Sequence, residues 1–123
     1  MQITKRYLNE LTYQVIGCAI EVHRYLGPGL LESVYHRCFL LELAQKELKY
    51  KSELVVPVKY KGQLLDTGLR LDVLVEDQII VELKAVDGLI PLNEAQLLTY
   101  MKLLAKPKGI LINFNCKNIL YIC

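Results

Sequence analysis

No stretch of this chain approaches the ~18 consecutive apolar positions of a bilayer-spanning helix, because Glu21, Glu32, Glu42, Glu82 and Lys84 interrupt every apolar run. A soluble protein without membrane partners is expected. The first ten residues lack the apolar stretch and small-residue cleavage site of a secretory signal, so the expected address is cytoplasmic. Charge of one sign is scarce too: 15 Lys and Arg stand against 13 Asp and Glu, and a net charge of +2 does not by itself announce a nucleic-acid binder. Cys18, Cys38, Cys116 and Cys123 are dispersed, with neither a C-x-x-C pair nor a His pair at zinc spacing, which argues against a structural zinc site and for free thiols. Neither His23 nor His36 accompanies a recognisable Ser or Cys nucleophile motif, and there is no glycine-rich phosphate loop. A triad hydrolase and a nucleoside-triphosphate site are both unsupported. Linkers, low-complexity tracts and internal repeats are absent as well.

What is present is a 53% hydrophobic, 23% charged chain of 123 residues, the size of one ordinary domain and too apolar to stay disordered. A single domain over 1–123 is expected. Apolar residues recur at helical spacing from Leu8 to Leu26, and Gly27-Pro28-Gly29 forces a turn before a second helix over about Leu30–Leu48. Glu53–Tyr60 reads as a strand in which Pro57 marks an edge or an irregularity, and Lys61-Gly62 reads as a turn. Strands follow over Gly68–Val75 and Gln78–Ala85. A helix over Pro91–Ala105 starts at a proline, and a buried strand over Gly109–Phe114 precedes a short last strand over Asn118–Ile122. The order is α-α-β-β-β-α-β with a further β, in a mixed α/β fold. The β-α-β unit makes its strands parallel neighbours, and the hairpin before it is antiparallel.

The hairpin carries the chemistry. Alternation puts Ile79, Val81 and Leu83 on one face and Ile80, Glu82 and Lys84 on the other; in the preceding strand Leu71, Val73 and Val75 oppose Arg70, Asp72 and Leu74. A three-residue loop, Glu76–Gln78, pairs Val75 with Ile79, unites Leu71, Val73 and Val75 with the apolar face of the second strand, and gathers Asp72, Glu82 and Lys84 on the other. Charged groups within so apolar a strand need compensation. Two carboxylates and an ammonium suit a hard cation, Mg²⁺ or Mn²⁺, and through it the hydrolysis of a phosphodiester.

The acid-x-Lys pattern alone is weak, since a chain of this composition contains it roughly once by chance and Glu47-x-Lys49 is a second instance. The buried context of Glu82-x-Lys84 sets it apart, against the plainer reading of a structural ion pair. Glu32, in the first turn of the second helix, is favoured by the helix dipole whatever else it does, and Tyr35 shares its face. Gln96 and Tyr100 lie four apart on the third helix, where they either touch substrate or decorate a surface. His23 reads as a helix-end residue interacting with carbonyls.

Gly29-Leu-Leu-Glu32-Ser-Val-Tyr35, preceded by Ile20-Glu-Val-His-Arg-Tyr-Leu-Gly-Pro28, resembles the signature of the bacterial and archaeal GxxExxY proteins, assigned to the PD-(D/E)XK nuclease superfamily. The resemblance continues through Arg70–Val75, Val81–Ala85, Glu94–Tyr100 and Leu111–Asn115. It implies a restriction-endonuclease-like core, α-β-β-β-α-β, with the first helix as an N-terminal addition. It further implies that Asp72 fills the PD position and that Glu82 and Lys84 fill the (D/E)XK positions. The Leu83 carbonyl and Glu32 become additional metal ligands, Gln96 and Tyr100 match a Q-x-x-x-Y pair, and Gly29 and Tyr35 support the motif. Leu71 stands where the family pattern has proline, which removes nothing chemical, and the C-terminus looks shorter than the usual tail.

The expected function is a Mg²⁺- or Mn²⁺-dependent nuclease acting on DNA or RNA. The competing expectation is a catalytically silent module on the same scaffold, with Lys46, Lys49, Lys51, Lys59, Lys61, Lys106 and Lys108 contacting phosphates. Pairing of two copies would suit action on two strands, although no interface is legible.

Overall fold

The computed structural model describes residues 2–117 and 119–122. Helix α1, Lys5–Leu26, starts at Thr4, whose hydroxyl accepts from the Tyr7 N–H at 3.0 Å, and stops at Gly27, whose φ of +68° suits glycine. Helix α2 spans Glu32–Gln45 and helix α3 Pro91–Leu104, so both are shorter than the sequence suggests by a residue or more at an end. At the start of α3 the Asn93 side chain reaches back to accept from the Ile90 N–H at 2.9 Å.

Strands β1 (Tyr50–Val55), β4 (Arg70–Val75), β5 (Ile79–Lys84), β6 (Lys108–Asn113) and β7 (Leu120–Ile122) form one sheet in the order β1-β4-β5-β6-β7. Only β5 and β6 run parallel, joined through α3 as expected; the other neighbours are antiparallel. The short last strand is present, with Asn118 outside the described residues. Strand β2 (Val58–Tyr60) and strand β3 (Gln63–Leu65) form a separate two-stranded hairpin. Its turn residues Lys61 and Gly62 have φ of +47° and +81°, the positive pair that a type I′ turn requires.

Three expectations need correction. The single strand expected over Glu53–Tyr60 starts earlier, at Tyr50, and breaks at Val56-Pro57 into β1 and β2, because proline has no N–H to donate to a ladder. The stretch Gln63–Leu65, read as no element, is β3. Leu71 was placed with Val73 and Val75 on one apolar face, yet it packs with Val56, Leu74 and Ile80 on the other. The cause is local to Asp72. On the β1 side the pairs Ser52↔Val73 and Leu54↔Leu71 flank a gap at Glu53, whose φ is +53°; on the β5 side the ladder ends at Val73↔Val81. Strand β4 is therefore unpaired on both edges at Asp72 and turns Leu71 into the opposite layer.

The expected hairpin register holds: Val75 pairs with Ile79 and Val73 with Val81. Glu76 and Asp77 both take positive φ, and Glu76 is held there by bonds between its N–H and the Lys49 carbonyl and between its carboxylate and the Lys49 N–H. One side of the sheet, through Val73, Val75, Ile79, Val81, Leu83, Ile110 and Ile112, packs on α1 and α2. The other, through Leu74, Ile80 and Leu111, packs on Leu97 and Tyr100 of α3. That second approach depends on Gly109, where a Cβ would stand 2.6 Å from the Met101 sulfur and 2.9 Å from Leu97. Among the described residues no helix is long and apolar enough to cross a membrane.

Candidate metal and phosphodiester site

At the end of the sheet where β4 begins and β5 and β6 finish, three strands and two loops converge. The β4–β5 ladder stops at Val73↔Val81, one residue short of Asp72 and Glu82, and the two carboxyl groups interact at the open end of that ladder. A regular ladder would pair Leu83 with Leu71 through two bonds. Instead the Asp72 carboxylate enters the gap and Oδ2 accepts from the Leu83 N–H at 2.7 Å. The Leu83 carbonyl, which points to the same edge as its N–H, is left without a ladder partner on β4.

Glu82 is only 5% exposed, and its Oε1 is buried with no hydrogen-bond partner among the described residues. Burial, followed by the hydrogen bond to Asp72 and the negative charge of Asp72, pushes the Glu82 carboxyl up to about 9, with Lys84 pulling the other way. A shift of this size favours the neutral form of the Glu82 carboxyl beside the Asp72 charge. Among the described residues no ion pair within 4 Å involves Lys84. The structural ion pair that sequence allows between Glu82 and Lys84 is therefore not formed as a contact; the ammonium acts on the carboxyl at longer range.

Glu32 is the first residue of α2 and joins the same electrostatic cluster. Its carboxyl is raised by partial burial and by the Asp72 charge, and lowered by Lys84 and His36. The motif around it has a mechanical explanation. Tyr35 is fully buried, stacks on Phe114 at 4.5 Å between ring centroids, donates its hydroxyl proton to the Gly27 carbonyl at 2.5 Å and accepts from the Leu30 N–H at 3.1 Å. It latches the loop that delivers Glu32, and Gly29 supplies a φ of +104° within that loop. Tyr35→Phe would keep the ring stack but strand two backbone groups, so unfolding in urea should show a loss of about 1–3 kcal/mol. An unchanged urea midpoint would remove the latch.

On α3, Tyr100 is buried against the sheet, and its phenol is raised by burial and by the charges of Glu82 and Asp72. Gln96 lies half-buried one turn earlier, and no hydrogen bond to the carboxylates is formed among the described residues. His23, in the last turn of α1, lies beside Phe114, at 6.5 Å between rings; its carbonyl accepts from the Gly27 N–H, and its Nε2 is buried without a partner among the described residues.

Sequence reasoning assigned no role to Asn113, which is 1% exposed and is the β6 partner of Lys84. Its side chain closes a two-bond clamp on Val86, accepting from the N–H at 3.1 Å and donating to the carbonyl at 2.9 Å, so that the chain leaving Lys84 is held. The available signal was an amide at the end of an otherwise apolar strand.

Comparison with known proteins bears on this arrangement. The family model of the PD-(D/E)XK nuclease superfamily matches residues 9–121, a span that includes every residue of the cluster. The chain belongs to that superfamily. No curated protein and no solved structure matches it. In this PD-(D/E)XK domain the carboxylates fit a divalent cation by their own chemistry: an orphaned buried oxygen, a second carboxylate opposite and a backbone carbonyl at the same gap are hard oxygen donors. No group of three or more His, Cys, Asp or Glu is close enough among the described residues to make a complete cage.

Proposed function

We propose that the chain is a metal-dependent nuclease that hydrolyses phosphodiester bonds, with Mg²⁺ or Mn²⁺ held by Asp72, Glu82 and the Leu83 carbonyl. The observation that carries this reading is the buried, donorless Glu82 Oε1 beside Asp72, an arrangement that is costly without a cation or a proton. A cation bound there supplies charge neutralisation at the phosphoryl oxygens and makes water acidic enough to attack.

The chain's own groups divide the remaining work. Asp72 and Glu82 would hold the cation, with the Glu82 proton released to solvent. Lys84, half-buried and without a close ion pair among the described residues, stabilises the anionic nucleophile and the charge that develops on phosphorus-bound oxygen. Glu32, anchored through the Tyr35 latch, orients water from the α2 side, while Tyr100 and Gln96 of α3 position the phosphate from the other. The spacing of Gly29, Glu32 and Tyr35 supports the narrower GxxExxY assignment, and a cytoplasmic location fits a nuclease of this kind.

Purified protein should cleave labelled DNA or RNA when Mn²⁺ or Mg²⁺ is added and stop when EDTA removes it. Calorimetric titration should find Mn²⁺ binding in the metal-free protein. Nucleic-acid binding without cleavage under any divalent cation would replace this reading by the silent module, and no Mn²⁺ uptake would end the assignment of the carboxylates.

A further inference from the structure

The β2–β3 hairpin stands apart from both packed layers. All its residues except Val58 are exposed, and it shares no ladder with the main sheet. An isolated two-stranded hairpin is marginally stable in water, and this one also leaves Tyr60, Leu64 and Leu65 in solvent, at 60%, 74% and 43% exposure. Packing does not explain why it carries these side chains.

Its position is informative. The hairpin links the end of β1 to the start of β4, continuing the ribbon beyond the Val55↔Arg70 pair and the bond from the Val56 N–H to the Leu69 carbonyl. It therefore extends from the sheet end at which Asp72 begins the cluster. Its outer half carries Lys59, Tyr60 and Lys61, with the Lys61 ammonium 5.5 Å from the centre of the Tyr60 ring. The one acid between Val56 and Leu69 is Asp66, at the base, where it accepts from the Gly68 N–H at 3.3 Å. The tip is thus cationic and aromatic, while the site end behind it is rich in carboxylates.

We infer that the hairpin is a substrate-gripping finger for nucleic acid with unpaired nucleotides: Lys59 and Lys61 contact backbone phosphates and Tyr60 stacks on an exposed base. This rests on the nuclease reading and deepens it. Lysine and an exposed aromatic side by side match the two features of a single strand, its phosphate charge and the π-faces of its bases. A base inside a duplex offers no face to Tyr60. An acidic polypeptide would engage the lysines but give the ring no comparable partner.

Anisotropy titrations with fluorescent single-stranded and duplex oligonucleotides, DNA and RNA in parallel, in Ca²⁺ to suppress cleavage, test the finger. Lys59→Gln combined with Lys61→Gln should weaken binding about tenfold and flatten the dependence of log K on log salt by about 1 to 1.5, the value of two phosphate contacts to a single strand. Tyr60→Ala should weaken single-strand binding about tenfold and leave duplex binding within twofold. Both variants should melt like the parent, and Mn²⁺ uptake should be unchanged. Variants that bind every oligonucleotide as the parent does overturn the finger and leave the nuclease reading intact. A parent that binds no oligonucleotide overturns both.

Discussion

Replacing Glu82 by glutamine is expected to do two opposite things: reduce metal-supported cleavage by about 10²–10³-fold or more, and stabilise the metal-free protein at pH 8. The loss follows from removing a cation ligand. The gain follows from the proton. In the folded chain the Glu82 carboxyl keeps its proton up to about 9, whereas the ordinary value for an unfolded chain is 4.5. Between those values the folded state binds more protons than the unfolded one, so the stability tied to that proton is complete below about 4.5 and declines as pH rises toward 9. Glutamine does not ionise, and its amide can donate to Asp72 as the protonated acid does. In EDTA the parent should therefore lose stability from pH 5 to pH 8 more steeply than the variant, with a gap at pH 8 of at least about 1.4 kcal/mol, one pKa unit. Denaturant midpoints at the two pH values measure it. Mn²⁺ should raise the midpoint of the parent alone. Parallel pH profiles for the two proteins would mean that Glu82 is not the group holding the proton.

Lys84→Ala should lower the cleavage rate at saturating Mn²⁺ by about 10²–10³-fold, the usual loss when a preorganised charge is removed from a developing anion. Folding stability should stay within roughly 0.5 kcal/mol, because the side chain is half-buried and makes no close ion pair among the described residues. Metal affinity provides the internal control. The ammonium lowers the carboxyls of both Glu82 and Glu32, but it also repels a dication, so its loss should leave Mn²⁺ binding at least as tight as in the parent. Raising the pH should not restore the rate. Full cleavage by the variant at saturating Mn²⁺ would remove Lys84 from the chemistry and leave it a merely electrostatic neighbour.

Much of this site was legible in one dimension. The two-residue period of Arg70–Val75 and Ile79–Lys84 gave the faces, and the demand that apolar faces coincide gave the register, because a one-residue slip would have buried the wrong side of each strand. Gly27-Pro28-Gly29 located the turn before Glu32, and four-residue spacing aligned Gln96 with Tyr100. What failed lies where hydrogen bonds compete. Leu71 obeys its period only as far as the ladder runs, and at Asp72 a side chain displaces the backbone as the partner of Leu83. The same limit hid β3, since an exposed hairpin carries no burial pattern to read, and it hid the Asn113 clamp, which acts on a residue distant in the chain.

Local order alone thus determined which residues could share a face and where the chain must turn, since these depend on sterics and solvent contact within a few residues. Tertiary structure decided the rest: that β4 parts from both neighbours at Asp72, that burial and the Asp72 charge push the Glu82 carboxyl upward, and that Lys84 has no close ion pair among the described residues. Each of those is a property of groups brought together from different strands, where desolvation and neighbouring charge outweigh any preference a residue has on its own.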